Sequence, residues 1–274
     1  KTITGNLVEY NNDYGIYLEY ANNVNIAHNT IRNNGGQGMY INGCASCMIS
    51  NNIIKDNDGI RLSNSDSNTI SNNTFRWSVS NNDATNNSYI YALGISPLTS
   101  DDGMAWNSSM VMIDSNTVEN NTLTDHSWRH SWYFAVGLSL RWPNTSESFN
   151  HRSKIRGNTI RGNRLEITNH DWDEKYYAVG AYVWTANDSM LFSDNHIVGN
   201  VDGGGFDEGY AGGYYGNVSV TNSTFSQNQG RRAGGLFFSD EESHSISGCT
   251  ITLNTATNED GVGAIFRPGT LIKN

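Results

Sequence analysis

Apolar and polar residues alternate in short runs along the chain, most clearly between Tyr14 and Asn34. Ile16 and Leu18 belong to one run, and Val24 and Ile26 belong to the next. A period of two is typical of β-strands, because successive side chains point to opposite faces of the strand. Asparagine and glycine separate the runs, and both tolerate the left-handed backbone that tight corners need. The pattern therefore predicts very short strands joined by corners.

The same pattern returns in a fixed register. An asparagine follows an opening glycine by 14 residues in three successive blocks, which pair Gly15 with Asn29, Gly38 with Asn52 and Gly59 with Asn73. A repeat of about 20 to 25 residues built from strands indicates an elongated solenoid rather than a globular domain. We expect an all-β fold, a β-solenoid of about nine coils in which each coil lies about 4.8 Å above the previous one.

Equivalent corners of successive coils should lie directly above one another. Stacked asparagines can hydrogen-bond side chain to side chain along the axis, as in ladders of identical residues. The predicted ladder consists of Asn6, Asn29, Asn52, Asn73, Asn116, Asn158 and Asn195.

One solenoid domain is expected over residues 1–274. Regular short coils fill 1–76, coils with long insertions fill 77–212, and short coils that end in an open half coil fill 213–274. The later opening glycines are read as Gly94, Gly137, Gly180, Gly213, Gly235 and Gly263. Insertions precede the glycine strand at 77–92, 123–136, 164–179 and 201–212, and follow it at 96–110, 139–154 and 182–189. Insertions at fixed corners predict two walls of loops beside that strand.

Composition narrows the classes of partner. The net charge is −10, and charged residues make up 16% of the chain without a cluster of Lys or Arg. Such a chain is not expected to bind nucleic acid. No apolar run approaches the ~20 residues of a membrane-spanning helix. The phased Ile, Val and Phe positions argue against a disordered chain.

The pattern Gly-Ile-x-Leu followed by Ile-x-x-Asn-x-Ile-x-x-Asn resembles the right-handed parallel β-helix repeats of the pectate-lyase-like superfamily. In the last third, Phe225 to Asn228, Gly234 to Leu236 and Gly263 to Ile265 resemble the Phe-x-x-Asn and Gly-Gly-Ala-Ile repeats of polymorphic outer-membrane proteins. The first resemblance implies a right-handed parallel β-helix. The second implies a surface-exposed, adhesin-like protein.

The superfamily also contains polysaccharide lyases, hydrolases and epimerases, so the fold alone does not select a function. Paired carboxylates would act as acid and base at a glycosidic bond. The candidate catalytic residues are Asp101, Asp102, Asp125, His126, Asp171, Asp173, Asp207 and Arg231. Asp101-Asp102-Gly103 resembles the aspartate pair of polygalacturonases, but Asn-Thr-Asp, Gly-His-Gly and Arg-Ile-Lys are missing. The alternative is that these residues are solvated loop charges. No cofactor or metal ion is expected.

Aromatic residues concentrate in or beside the insertions. Their rings could stack on sugars, or they could form small cores under the long loops. The residues are Trp106, Trp128, Trp132, Trp142, Trp172, Trp184, Tyr176 and Tyr177.

Cys44 and Cys47 form a Cys-x-x-Cys without the second pair that a zinc site needs. They align with Ala21 and Val24, so they are either two small core residues or a local disulfide of an extracellular protein. Cys249 occupies the ladder position of Asn195 and is expected to be buried and unpaired.

N-glycosylation sequons occur in loops and corners. They matter only if a eukaryote secretes the protein. The candidates are Asn72, Asn86, Asn107, Asn120, Asn144, Asn187, Asn217 and Asn222.

Read from tail to head, Thr270 to Asn274 followed by Lys1 to Asn6 gives the pattern of an ordinary coil. The sequence therefore predicts that copies join end to end, covalently or by assembly into a fibre. The expected function is that of an extracellular or cell-surface structural protein, with glycans as possible partners. The alternative is a polysaccharide-acting enzyme, or a carbohydrate-binding or adhesin module that uses the loop-walled face.

Overall fold

The computed structural model describes residues 1–57, 59–63, 65, 67–76, 78–80, 93–95, 112–125, 132–141, 153–167, 175–184, 190–203, 209–239, 244–257, 262–266 and 271–273. Within these ranges the regular elements are short β-strands, and the strand pairs are parallel. They form four sheets along one axis.

Sheet 1 contains ten described strands: Thr2–Thr4, Asn25–Ala27, Met48–Ser50, Thr69–Ser71, Met112–Asp114, Lys154–Arg156, Leu191–Ser193, Val220–Thr221, Ser245–Ser247 and Leu271–Lys273. Sheet 2 contains nine: Leu7–Glu9, Thr30–Arg32, Ile53–Lys55, Thr74–Arg76, Thr117–Glu119, Thr159–Arg161, His196–Val198, Thr224–Ser226 and Thr250–Thr252. Sheet 3 begins only in the fourth coil and has six: Ser78–Ser80, Thr122–Asp125, Arg164–Ile167, Val201–Asp202, Gln229–Gly230 and Thr255–Ala256.

Sheet 4 is the widest, with twelve described strands. Its main column consists of Ile16–Glu19, Met39–Asn42, Ile60–Ser63, Leu93–Ile95, Leu138–Arg141, Ala181–Trp184, Tyr214–Gly216, Ala233–Phe238 and Val262–Ile265. A side column of Trp132–Ala135, Lys175–Ala178 and Gly209–Ala211 joins it at Ala233–Phe238. The chain passes from sheet 4 to sheet 1, then to sheet 2, and in the later coils through sheet 3 back to sheet 4.

This stacking confirms the predicted parallel β-helix. Ile26 pairs with Ile3 on one side and with Ile49 on the other, and Ile31 pairs in the same way in sheet 2. Ile26 and Ile31 are fully buried in one continuous apolar core. Each such isoleucine contributes about 1.5 to 3 kcal/mol of hydrophobic stabilisation.

The predicted asparagines stack at the corner between sheets 1 and 2. Asn29 donates from Nδ2 to Oδ1 of Asn52 at 3.0 Å and accepts from Nδ2 of Asn6 at 3.0 Å. The same links continue through Asn73, Asn116 and Asn158 to Asn195. The ladder then changes chemistry, because the amide N–H of Asn195 donates to Oγ of Ser223 at 3.1 Å.

A second ladder, which the sequence analysis did not predict, lies at the corner after sheet 2. Asn34 donates to Oδ1 of Asn57 at 2.9 Å, and Asn163 donates to Oδ1 of Asn200 at 2.8 Å. The described residues of this ladder are Asn11, Asn34, Asn57, Asn121, Asn163, Asn200, Asn228 and Asn254. The residue before a ladder residue has positive φ, as at Asn33 and Asn51. Each of these corners therefore combines one left-handed residue with one stacked residue.

The opening glycines are required because neighbouring atoms leave no room for a Cβ. A Cβ at Gly15 would lie 2.6 Å from the carbonyl oxygen of Gly38 and 2.9 Å from Nδ2 of Asn34. The glycine strand therefore passes directly against the second ladder.

Two sequence predictions need correction. Gly94 is not an opening glycine, because it pairs with Arg61 and Ser139, which lie two positions after the opening glycines Gly59 and Gly137. The segments 77–92, 123–136, 164–179 and 201–212 are not only loops, because the first contributes a strand to sheet 3 and the other three contribute strands to sheets 3 and 4. The periodic pattern there is obscured by the long segments between the strands.

The outer side of sheet 2 carries a charge cluster centred on Glu119. Its carboxylate accepts hydrogen bonds from Arg76 and, at 2.6 and 2.9 Å, from Arg161. The hydrogen bond from Arg76, followed by that from Arg161, lowers the pKa of Glu119 below its ordinary value. The charged form of Glu119 is thus favoured by folding.

Candidate functional site

The outer face of sheet 4 carries one continuous column of side-chain positions. Backbone register aligns Tyr17, Tyr40, Arg61, Gly94, Ser139, Tyr182, Tyr215, Phe237 and Ile265. Aromatic residues occupy the first two positions and three of the last four, and Arg61, Gly94 and Ser139 lie between them. The neighbouring positions along the strand point into the core, as Met39 and Ile41 do beside Tyr40.

The aromatic residues of the later coils are covered. Tyr182, Tyr215 and Phe237 are buried and stack in sequence, with ring centroids 5.8 and 5.3 Å apart. Tyr210 packs edge-on against the last two rings, and Trp184 packs against the same cluster. Here the aromatic residues form a small second core outside the solenoid. For Trp184, the structure therefore shows the small-core alternative.

The aromatic residues of the first coils are less covered, because Tyr17 is exposed and Tyr14 and Tyr40 are half-buried. We call Tyr14, Tyr17, Tyr40 and Arg61 the tyrosine platform. The three ring centroids are 5.2 to 5.5 Å apart, and Tyr17 is 49% exposed. The guanidinium carbon of Arg61 lies 5.6 Å from the Tyr40 ring centroid, within cation–π range. The platform thus presents aromatic surface, phenol groups and one cation to solvent.

The surroundings of the platform are polar and of mixed charge. Desolvation and then a hydrogen bond with Glu19 raise the pKa of Tyr17. Desolvation and then the charge of Asp13 raise the pKa of Tyr14. Both hydroxyl groups therefore remain protonated donors at neutral pH.

Two buried polar atoms near the platform have no hydrogen-bond partner among the described residues: Nε of Arg61 and Oε1 of Gln37. Gln37 lies one coil beyond Tyr14, since the Gly15 amide donates to its carbonyl oxygen. Both atoms are buried, so they do not belong to the exposed surface of the platform.

Cys44 and Cys47 are buried free thiols in the corner between sheets 4 and 1. Of the two alternatives for this pair, the structure shows two buried core residues with free thiols, and not the local disulfide. Burial, followed by a hydrogen bond with Cys47, raises the pKa of Cys44 to about 12. Cys249 is free but only half-buried, which corrects the expectation of full burial, because its corner precedes Thr250–Thr252, the last described strand of sheet 2.

The described sequons are explained by the corners of the fold. Asn72, Asn120 and Asn222 are exposed, have positive φ, and precede a ladder residue and an outward-facing threonine. The corner itself thus explains the sequon, because it places a left-handed asparagine before a ladder residue and a threonine. No glycan is needed to account for the pattern. Asn217 is buried, so it is excluded as a glycan site of the folded chain. Asn86, Asn107, Asn144 and Asn187 lie outside the described residues.

Most catalytic candidates also lie outside the described residues: Asp101, Asp102, His126, Asp171, Asp173 and Asp207. Asp125 ends a strand of sheet 3, and Arg231 is half-buried after a sheet 3 strand three coils away. The structure does not bring these two residues together. Across the described ranges, no group of three His, Cys, Asp or Glu residues is placed to hold a metal ion.

Sequence reasoning missed the tyrosine platform. The available signal was a tyrosine two positions after an opening glycine in two successive coils, Tyr17 after Gly15 and Tyr40 after Gly38. In a strand that begins at the glycine, this position faces outward. Stacking of the two rings follows once the register is known.

A family model described as "Right handed beta helix region" matches residues 1–75. No curated protein and no solved structure matches the chain significantly. The described part of the structure contains no helix long and apolar enough to cross a membrane. The fold is a right-handed parallel β-helix, and its strand register extends from the matched region to Leu271–Lys273.

Proposed function

We propose that this protein is an extracellular or cell-surface β-helix that binds carbohydrate through the tyrosine platform. The observation that carries the proposal is the partly exposed cluster of Tyr14, Tyr17 and Tyr40 beside Arg61. Aromatic rings offer large apolar area with a polar hydroxyl group, which suits sugars that have both apolar and hydroxyl faces. The half-buried guanidinium of Arg61 would donate hydrogen bonds to sugar hydroxyl groups.

A binding function is favoured over bond cleavage by the described residues. The platform presents stacked rings and phenol groups, and it needs no paired acid and base to hold a sugar. The pectate-lyase-like and outer-membrane resemblances stay predictions, as do glycans on the exposed sequons.

The proposal is tested with cellohexaose, chitohexaose and hexagalacturonate by isothermal titration calorimetry. Tyr17→Ala should weaken the binding of whichever hexasaccharide binds the native protein by about five- to tenfold, since one aromatic contact is worth about 1 kcal/mol. Met48→Ala is the matched control, because Met48 is 50% exposed on sheet 1 of the neighbouring coil. Equal binding by both variants, or no binding of any of the three sugars by the native protein, would refute the proposal.

End-to-end contact between copies also stays a prediction, and one observation favours it. Ile3 and Val8 are only partly buried, whereas their counterparts Ile26 and Ile31 in the next coil are fully buried. A coil stacked on this end would cover them, and it could come from another copy or from preceding residues of the same polypeptide. Electron microscopy of the purified protein would show rods longer than a single chain if copies stack.

A further inference from the structure

Two more tyrosines flank the platform in a backbone conformation that disfavours them. Tyr10 has φ of 59° in the corner before the first strand of sheet 4, and Tyr20 has φ of 48° in the corner after it. Their rings are 73% and 72% exposed. A bulky residue with positive φ is an outlier, since its Cβ is crowded by the backbone.

The fold does not require tyrosine at either position. The amide of Tyr10 bonds the carbonyl oxygen of Asn33, and that of Tyr20 bonds the carbonyl oxygen of Asn42. One coil further on, the equivalent positions are Asn33 and Gly43, which adopt positive φ with little strain. In the other coils, the described residues at the position equivalent to Tyr10 are mainly Asn, Asp, Gln and Gly.

The two side chains also gain little from packing. Most of each ring is open to solvent, although the ring of Tyr20 rests on Gly43, where a Cβ would come within 2.6 Å of it. Strained residues with exposed functional groups persist where the side chain serves a purpose that the fold does not supply.

We infer that Tyr10 and Tyr20 are ligand-contacting residues that extend the tyrosine platform around both ends of the strand Ile16–Glu19. This inference rests on the proposed carbohydrate function and deepens it. The strand is about 13 Å long. The extended surface would therefore contact a sugar chain that lies along this strand, transverse to the axis of the solenoid, rather than one ring at a single point.

The chain offers a matched control for the strain. Leu253 occupies the position equivalent to Tyr10 near the other end of the solenoid, with φ of 55° and 72% exposure. It is distant from the platform by many coils. Asparagine tolerates positive φ, so Leu253→Asn relieves the strain without touching the proposed surface.

The experiment compares Tyr10→Asn, Tyr20→Asn and Leu253→Asn by melting temperature and by calorimetry with the same three hexasaccharides. Tyr10→Asn and Leu253→Asn should each raise the melting temperature by about 2 °C or more. Tyr10→Asn and Tyr20→Asn should weaken sugar binding about threefold or more, and Leu253→Asn should leave it unchanged.

Other results would contradict either the role of Tyr10 and Tyr20 or the proposed carbohydrate binding. If Tyr17→Ala weakens binding but Tyr10→Asn and Tyr20→Asn do not, the flanking tyrosines are not contacts and the platform stands alone. If Tyr10→Asn lowers the melting temperature, the residue is kept for the fold and the inference fails. If the native protein binds none of the sugars, the proposed function fails as well.

Discussion

Replacing Asn52 with aspartate tests whether the ladder holds the corners by directed hydrogen bonds. Oδ1 of Asn52 accepts from the amide N and the Nδ2 of Asn29, both at 3.0 Å. Its Nδ2 donates to the carbonyl oxygen of Ile26 at 2.9 Å and to Oδ1 of Asn73 at 3.0 Å. Aspartate keeps the shape and both accepted bonds. Its second carboxylate oxygen, however, replaces the Nδ2 donor and faces two acceptors, the carbonyl oxygen of Ile26 and Oδ1 of Asn73.

The magnitude follows from protonation. A buried carboxylate that faces two acceptors is disfavoured in its charged form, so folding raises its pKa above the ordinary value near 3.9. Keeping the acid protonated costs about 1.36 kcal/mol per pH unit above that value, or about 4 kcal/mol at pH 7. The protonated acid donates to only one acceptor, and the lost bond adds about 1 kcal/mol. We expect a total loss of about 5 kcal/mol at pH 7.

The sign of the pH dependence is opposite to that of an ordinary salt-bridged carboxylate. Because the folded pKa is raised, the penalty shrinks as the pH falls toward 3.9. At pH 5 the loss should be about 2.5 kcal/mol, from about 1.5 kcal/mol for protonation and about 1 kcal/mol for the bond.

Urea unfolding at pH 7 and pH 5 measures both values. Asn51→Asp is the matched control, because it adds the same charge at the adjacent exposed residue, whose φ of 55° aspartate tolerates. It should change the free energy of unfolding by no more than about 0.5 kcal/mol. Equal stability of the two variants, or a loss for Asn52→Asp that does not depend on pH, would refute the ladder argument.

Three further predictions concern other parts of the coil. Glu119→Gln should lower the free energy of unfolding by about 1 kcal/mol at pH 7, because the lowered pKa of Glu119 stabilises the fold above the unfolded pKa of about 4.3. The difference between the two proteins should shrink as the pH falls below about 4.3 and should vanish below the lowered folded pKa, which an acid titration of both proteins measures. Gly180→Ala should lower the free energy of unfolding in urea by about 2 to 3 kcal/mol, since its Cβ would lie 2.9 Å from a core isoleucine methyl group. The Cβ of Gly199→Ala would meet no atom within 4 Å, so this variant should lose only about 1 kcal/mol, from its positive φ. Similar losses for the two variants would contradict the close packing of the glycine strand. Cys44 and Cys47 should react with a thiol reagent only after denaturation, because both are buried, and rapid labelling of the native protein would contradict their place in the core.

The repeating pattern accounts for most of the fold that could be predicted. Ile26, Asn29 and Ile31 recur at constant spacing, and a coil can bury its apolar side chains only if the next coil repeats the same order. The fold class, the first ladder and the core positions of the short coils therefore follow from local sequence. The second ladder was accessible in the same way, since Asn34 and Asn57 have the same offset.

The candidate site depended on the tertiary structure. Tyr17 and Tyr40 are 23 residues apart in sequence, and only the stacking of coils brings their rings to 5.5 Å. Whether an outward aromatic residue is open or covered was also undecided by the sequence, because Tyr17 and Tyr182 occupy the same column and differ only in what packs over them. The chain by itself determined the coil, since a coil is a local repeat. The surface was decided by contacts between coils, which depend on neighbours far away along the chain.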